Sequence, residues 1–251
     1  MSPPTVSAIM PCRDMGRFVP DAVGSILRQT LPVQQILLID DGSTDDTAEV
    51  ARGLIGSGAP IELLRAEGVG PARARNLGLA EARGQLIAFL DADDLWPGDK
   101  LERQAGRLAE QPDLGMVSGF VTYFEDLDAQ TLEPAAGART ETVFHVHLGA
   151  CLYRRQVFDA IGPFDPDFLF AEDVDLLMRV RDAGIPFAIL RRRMLYYRRH
   201  PASMMMGPNP RRRADFNLAM IKSIRRRRAA GLGPISHDAL EAHLDPEETP
   251  G

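Results

Sequence analysis

Three carboxylates lie within four positions directly after a strongly apolar run. Asp91, Asp93 and Asp94 follow Leu86–Leu90. Carboxylates this close repel one another unless a cation lies among them. A divalent metal ion with oxygen ligands, shared with substrate phosphates, would supply that cation. The alternative is an acid-rich helix N-terminus ahead of Trp96.

A second acidic segment, Asp40–Asp45, follows the apolar run Ile36–Ile39 and contains Gly42. If the run is a strand of an open α/β sheet, its carboxyl end lies at the edge where ligands bind. Carboxylates there can accept hydrogen bonds from a base N–H or a ribose hydroxyl, while the glycine permits a tight turn. The alternative is simple capping of the following helix by Asp or Ser.

A glycine-containing loop, Gly68–Gly78, runs into a helix whose first turns carry Arg73 and Arg75. A helix N-terminus with adjacent guanidiniums suits phosphate. A glycine-rich turn without further context is also common in loops that bind nothing.

Two segments of the C-terminal half carry groups for acid–base and charge chemistry. Phe170–Asp175 places acids at the start of an amphipathic helix, where one of them could act as a general base or could only stabilise the helix dipole. Tyr197–Pro201 contains His200, which could bind metal, contact phosphate or be structural. Arg198 or Arg199 could neutralise an anionic leaving group.

The elements that position these groups follow from apolar patterning. Up to about residue 120, short apolar runs alternate with amphipathic segments, which predicts βαβ units and a mainly parallel sheet. The predicted strands are Val6–Met10, Ile36–Ile39, Ile61–Leu64, Leu86–Leu90 and Met116–Val121. The predicted helices begin near Val19, Ser43, Pro71 and Pro97, the second through a capping box of Ser43 and Asp46.

The pattern is weaker in the second half of the chain. Tyr123–Val146 has no clear periodicity and stays unassigned as a long loop. Beyond it we expect helices over 154–160 and 171–183, strands over 187–190 and 194–197, and a basic amphipathic helix within 206–235. Residues 236–251 are predicted to form an acidic, flexible tail.

Charge is distributed unevenly along the chain. The formal net charge is −6, yet Arg191–Arg228 holds thirteen basic residues against one acid, Asp215. Such asymmetry indicates a face that meets an anion, which could be a nucleotide, an anionic lipid or a nucleic acid. The alternative is a solvated, arginine-rich helix.

Composition excludes several classes of protein. With 251 residues, 45% hydrophobic and 25% charged, the chain is neither disordered nor fibrous. Its apolar runs fall far short of the ~20 residues of a membrane-spanning helix. No secretory signal is visible at Met1–Pro4, so we expect a cytoplasmic protein, in which Cys12 and Cys151 are free thiols.

The order and spacing of these motifs closely resemble family-2 glycosyltransferases of the GT-A fold. The resemblance spans about residues 5 to 204 and rests on these segments: Val6–Pro11, Asp40–Ser43, Ala74–Gly78, Asp91–Asp94, Glu172–Asp173 and Tyr197–His200. It implies a single Rossmann-like α/β domain over 1–205, with a mainly parallel mixed sheet flanked by helices. Residues 1–120 would bind the nucleotide sugar and 121–205 the acceptor.

The resemblance also implies roles for individual residues. Asp173, with Glu172, would be catalytic, Asp173 as the base. Asp93, assisted by Asp91 and with His200 as a further candidate ligand, would hold Mg²⁺ or Mn²⁺ on the diphosphate. The nucleotide would be bound by Pro11, Arg13, Asp41, Arg75, Asp91 and Ala92, and the phosphate or acceptor by Arg199, Gly149 and Ala150.

The implied reaction is an inverting transfer of one sugar from a nucleotide diphosphate sugar, with a UDP-sugar favoured, to an acceptor hydroxyl that is unknown. Many relatives carry an aromatic residue at the positions of Arg13 and Val174, although a guanidinium can also stack on a base. The Gln-x-x-Arg-Trp signature of processive synthases is absent, which favours single transfers in cell-surface glycan or glycolipid synthesis.

Other functions stay open at this stage. A nucleotidyltransferase of a related fold would release pyrophosphate instead, and a non-catalytic binder of nucleotide sugar or nucleic acid would release nothing. We do not expect a nucleic-acid partner, because Phe216 is the single aromatic residue of Arg211–Arg228 and no recognition motif is present. We expect that helix to touch an anionic membrane peripherally, at its inner face, where a lipid-linked acceptor would reside.

Overall fold

A mixed sheet with helices on both faces forms the centre of the protein. The computed structural model describes residues 3–56, 58–145, 147–204, 207–233 and 243–245. Within these ranges the strands are β1 Val6–Cys12, β2 Gln35–Asp41, β3 Ile61–Ala66, β4 Leu86–Phe89, β5 Met116–Phe124, β6 Leu127–Asp128, β7 Glu133–Pro134, β8 Glu141–Val143, β9 Leu152–Arg154 and β10 Phe187–Arg198. The α-helices are α1 Val19–Leu27, α2 Thr47–Ile55, α3 Pro71–Glu81, α4 Lys100–Glu110, α5 Arg155–Ile161, α6 Glu172–Asp182 and α7 Pro210–Ala229.

The strand order of the main sheet is β10-β5-β9-β4-β1-β2-β3, with β8 paired to β5. The pairs β1–β2, β1–β4, β2–β3 and β5–β10 are parallel, whereas β9 is antiparallel to both of its neighbours. The predicted fold class, a mainly parallel mixed sheet flanked by helices with a C-terminal basic helix, is therefore confirmed.

The central strands are apolar throughout because both faces of the sheet are covered. Successive residues of β1 alternate between two cores: Met10 packs with α1 and α4, and Ile9 packs with α3, α5 and α6. Helix α3 lies very close to the sheet at Gly78, where a Cβ atom would meet the Ile9 side chain at 2.5 Å. This close approach holds the helix that carries Arg75 against the strands.

Several predicted boundaries are wrong for local reasons. The second helix begins at Thr47, because the Ser43 hydroxyl accepts a hydrogen bond from the Asp14 amide and the Asp46 side chain caps nothing. The two strands predicted over 187–190 and 194–197 are one strand, β10, whose pairing with β5 shifts register near Arg193. The unassigned segment contains the β6–β7 hairpin and β8.

Most of the predicted flexible tail, residues 236–251, lies outside the described residues. Residues 243–245 are described, and they contact the body of the protein. His243 stacks on Phe187, and Asp245 forms a 2.6 Å ion pair with Arg107. Among the described residues, none of the helices combines the length and apolar character required to span a bilayer.

Candidate active site

A cleft of about 1160 Å³ opens at the carboxyl ends of β1, β2 and β4. Parallel strands bring their carboxyl ends to one edge, so residues distant in sequence meet there. The cleft is lined by the predicted site residues Pro11, Arg13, Asp41, Arg75, Asp91, Ala92, Asp93, Glu172, Asp173, Arg199 and His200. Gly149 and Ala150, the other two predicted site residues, do not line it.

Arg75 connects the two halves of the site. Its side chain is 5% exposed, with Nη2 2.5 Å from Asp91 Oδ1 and Nη1 2.7 Å from Glu172 Oε1. Burial alone would raise the pKa of Asp91, but the guanidinium outweighs burial and holds that pKa below its usual value. Burial does raise the pKa of Glu172 in spite of Arg75. The guanidinium is thus occupied by carboxylates, and its predicted contact with nucleotide stays a prediction.

Asp41 fixes the glycine-containing loop beside the cleft. Its two carboxylate oxygens accept hydrogen bonds from the amides of Val69 and Gly70, at 2.7 and 2.8 Å. Gly70 has a φ of 88°, which a side chain would strain. Each carboxylate oxygen has a second lone pair, so Asp41 can still accept a hydrogen bond from the N–H of a nucleobase. The Arg13 guanidinium lies over the same loop.

The carboxylates after β4 carry more negative charge than nearby groups neutralise. Asp93 Oδ2 lies 2.9 Å from His200 Nε2. Asp94 accepts a hydrogen bond from the Arg198 amide through Oδ1, whereas its buried Oδ2 has no hydrogen-bond partner. Burial, followed by the charges of Asp93 and Asp91, raises the pKa of Asp94 well above its usual value. An orphaned carboxylate oxygen among three acids fits a divalent cation.

His147 belongs to this cluster, although sequence reasoning missed it. One ligand atom of His147 lies within 4.8 Å of carboxylate oxygens of Asp91 and Asp94. Its Nδ1 accepts a hydrogen bond from the Gly149 amide, and burial lowers the pKa of the ring to about 4. The neutral ring therefore carries its proton on Nε2 and can donate it to an oxygen in the cleft. In the sequence, the one feature that could have indicated His147 as a site residue is its position beside the Gly149–Cys151 segment.

Asp173 lies in the first turn of α6 and faces the cleft. Its Oδ1 accepts a hydrogen bond from the Val174 amide at 2.7 Å. Burial and the neighbouring Glu172 carboxylate raise the pKa of Asp173 to about 7. A carboxyl group with that pKa can take up a proton and release it again near neutral pH.

Arg198 ends β10 and Arg199 follows it, and the two differ in their surroundings. Arg198 forms a 3.0 Å ion pair with Asp21 and packs on Phe18, away from the cleft. Arg199 lines the cleft, lies over the Tyr123 ring at 4.4 Å and is 2.9 Å from Glu141. Of the two, Arg199 is therefore the one placed to approach an anionic ligand.

Gly149 and Ala150 support the wall of the cleft from behind. The Gly149 carbonyl accepts a hydrogen bond from Trp96 Nε1 at 3.0 Å, and a Cβ atom at Gly149 would lie 2.8 Å from Leu195. Their neighbours His147 and Leu148 form the lining instead. Sequence reasoning also missed an apolar wall, because helical periodicity does not show which apolar side chains of a helix or loop face a cleft. Its members lie in loops and on α6 and α7: Leu169, Phe170, Val174, Met204 and Phe216.

Comparisons with known proteins agree with this geometry. The model of the family "Glycosyl transferase family 2" matches residues 7–162. EpsJ of Bacillus subtilis, described as an uncharacterized glycosyltransferase, is 31% identical over 82% of this chain and 64% of its own length. TuaG of the same organism, described as a putative teichuronic acid biosynthesis glycosyltransferase, is 34% identical over 49% of each chain.

Solved structures share the fold. S. aureus TarS 1-349 in complex with UDP-GlcNAc superposes with a TM-score of 0.67 at 18% identity, covering 88% of this chain and 66% of that one. The corresponding complex with UDP gives a TM-score of 0.63 at the same identity, over 88% and 65% of the two chains. The chain thus spans less than two thirds of each of these relatives.

The buried position of Arg75 predicts a large effect on stability. Arg75→Met leaves the buried Glu172 carboxylate and the half-buried Asp91 carboxylate without their shared cation, so we expect the free energy of unfolding to fall by about 3 kcal/mol. Denaturant unfolding at neutral pH measures this change.

The matched control is Arg83→Met, which breaks the exposed ion pair with Glu62. Solvent screens that pair, and we expect little change. Equal effects of the two substitutions would contradict the role assigned to Arg75.

Proposed function

The chain belongs to glycosyl transferase family 2, and on that premise we propose that it transfers one sugar from a nucleotide diphosphate sugar to an acceptor hydroxyl, with inversion at the anomeric carbon. The observation that carries the proposal is the convergence in one cleft of Asp41, the acidic residues after β4, and Asp173. These are a hydrogen-bond acceptor for a base, a candidate site for a cation, and a carboxylate suited to proton transfer.

For the donor we propose a UDP-sugar. The complexes of TarS with UDP and UDP-GlcNAc support this choice, since that protein shares the fold. Asp41 would accept a hydrogen bond from an N–H of the nucleobase, with Pro11 and the exposed Arg13 side chain beside the base. One relative, TuaG, is described as a putative teichuronic acid biosynthesis glycosyltransferase, which supports a role in cell-surface glycan synthesis.

We propose that Asp91 and Asp93 hold Mg²⁺ or Mn²⁺. Asp94 belongs to the same acidic cluster, and His200 is a candidate further ligand. The unpartnered Asp94 oxygen and the short Asp93–His200 contact support this assignment. When bound, such an ion neutralises negative charge on the leaving diphosphate. Arg75 keeps the Asp91 carboxylate oriented. His147 would donate a hydrogen bond from its Nε2–H to an oxygen of the diphosphate.

In the proposed reaction, an Asp173 carboxylate oxygen accepts the proton of the acceptor hydroxyl. The hydroxyl oxygen forms a bond to the anomeric carbon as the bond to the diphosphate oxygen breaks on the opposite face. The nucleoside diphosphate leaves with the electron pair of that bond. Arg199 lies at the cleft where it can stabilise the negative charge that develops on the diphosphate.

Replacing the base tests this assignment. Asp173→Asn should lower kcat by about 10²–10⁴-fold, because a general base contributes that much. Donor affinity should stay nearly unchanged, since the proton is moved only during reaction. Nucleoside diphosphate release and calorimetric donor binding measure the two quantities. The control is Asp159→Asn, which changes an exposed acid on α5. Near-normal turnover of Asp173→Asn would contradict the assignment of Asp173 as the base.

The pH dependence of turnover gives an independent prediction. The base must be deprotonated, so kcat should rise with pH and level off above about 7, the raised pKa of Asp173. Glu172→Gln removes a negative neighbour and should shift this acidic limb to lower pH. Steady-state rates across pH 5 to 9 measure the limb. A limb that Glu172→Gln leaves in place would show that another group titrates.

A further inference from the structure

Helix α7 turns an apolar strip outward. Its inner side packs on α6 through Asp215, Ala219 and Ser223, all buried. On the outer side, Ile221 and Ile224 are 45% and 44% exposed. Large aliphatic side chains on the exposed face of an otherwise basic helix indicate contact with something apolar.

The basic residues of α7 divide in the same way. Those on the inner side are neutralised: Arg226 and Arg227 pair with Asp182, and Lys222 pairs with Asp165. Three arginines on the outer side have no acidic partner among the described residues: Arg213, Arg225 and Arg228. The outer face of α7, defined by Arg213, Ile221, Ile224, Arg225 and Arg228, therefore combines uncompensated positive charge with apolar side chains.

The basic charge of the chain is concentrated on this helix. Arg191–Arg228 carries a formal charge of +12 within a protein of net charge −6, so the remaining residues carry −18. Eight of the thirteen basic residues of that segment lie on α7. An anionic surface therefore attracts α7 more than it attracts the rest of the chain.

The outer face is continuous with the mouth of the cleft. Phe216 and Met204 line the cleft and are 49% and 53% exposed. Arg212 also lines the cleft, lies 5.8 Å over the Phe170 ring, and has a buried Nε without a hydrogen-bond partner. The mouth of the cleft thus offers an apolar contact and a cation on the α7 side, and Asp173 lies within the same cleft.

We propose that the outer face of α7 binds the surface of an anionic lipid bilayer, and that the acceptor enters the cleft from that surface as the hydroxyl-bearing head of an anionic lipid. Isoleucines at the level of the head groups with arginines around them are the arrangement of interfacial helices. The second half of the proposal rests on the proposed transferase function. Phe216 and Met204 would contact the start of the lipid chain, and Arg212 its phosphate.

Vesicle flotation of the full chain tests the surface. We expect binding to vesicles of phosphatidylcholine with phosphatidylglycerol, weakening with salt, and no binding to phosphatidylcholine alone. Arg213→Gln/Arg225→Gln/Arg228→Gln should weaken binding about 100-fold, given the contribution of each arginine near an anionic surface. Ile221→Ser/Ile224→Ser should also weaken it. The control is Arg52→Gln/Leu27→Ser, which changes exposed residues of the same types on α1 and α2.

Four results would contradict binding of an anionic membrane by the outer face of α7. The first is equal binding to neutral vesicles, and the second is unchanged vesicle binding by the α7 variants. The third is tighter binding of a single-stranded RNA than of anionic vesicles. The fourth is a dimer in solution that Ile221→Ser/Ile224→Ser converts to a monomer, because a second copy would then cover the face.

Dodecyl phosphate and inorganic phosphate test the acceptor half. In calorimetric titrations, dodecyl phosphate should bind and inorganic phosphate should not. Phe216→Ser should abolish the binding of dodecyl phosphate. Equal binding of the two probes to the unchanged protein would contradict a lipid acceptor.

Vesicle binding requires no turnover, so Asp173→Asn should bind vesicles like the unchanged protein. If the protein binds vesicles but consumes no donor, membrane binding by α7 is supported and the proposed transferase function is contradicted. If it turns over donor but does not bind vesicles, the transferase function is supported and membrane binding is contradicted.

Discussion

Arg75 holds together carboxylates from two distant parts of the chain. Asp91 follows the central strand β4 and Glu172 begins α6, and the buried guanidinium bonds to both. The two acids repel each other and Glu172 is poorly solvated, so the approach of α6 to the sheet edge depends on this cation. Because Asp173 is the next residue after Glu172, the same contact fixes the proposed base relative to the acids after β4. Helix α3 can present Arg75 there because Gly78 lets it lie against Ile9.

The rest of the site reflects an excess of negative charge over what Arg75 neutralises. Asp94 keeps an unpartnered oxygen and a raised pKa, Asp173 has a pKa of about 7, and His147 is neutral. These features are typical of a site that binds a cation together with an anionic ligand. A family-2 glycosyltransferase needs both properties, since it must bind a nucleoside diphosphate and accept a proton a short distance away.

Sequence reasoning located the groups that follow strands and missed groups that only tertiary contacts bring to the cleft. Asp41 and Asp91 were predictable because apolar runs identify β2 and β4, and parallel strands end at one edge. His147 and Phe216 were missed, since nothing in their sequence neighbourhoods shows that tertiary contacts turn them toward the cleft. Gly149 and Ala150 lie in the predicted segment but support its wall, because Trp96 and Leu195 enclose Gly149. The start of α2 was misplaced when Ser43 bonded to Asp14 instead of capping a helix.

We propose that the cleft binds a nucleotide sugar through the acids after β4 and releases the nucleoside diphosphate. The most direct test is nucleoside diphosphate release from a panel of nucleotide sugars, with Mn²⁺ or Mg²⁺ and with chelator, for the unchanged protein and Asp93→Ala. We predict slow release from one donor, a UDP-sugar, abolished by chelator and by the substitution. Donor binding and diphosphate release that persist equally in chelator and in Asp93→Ala would contradict the account.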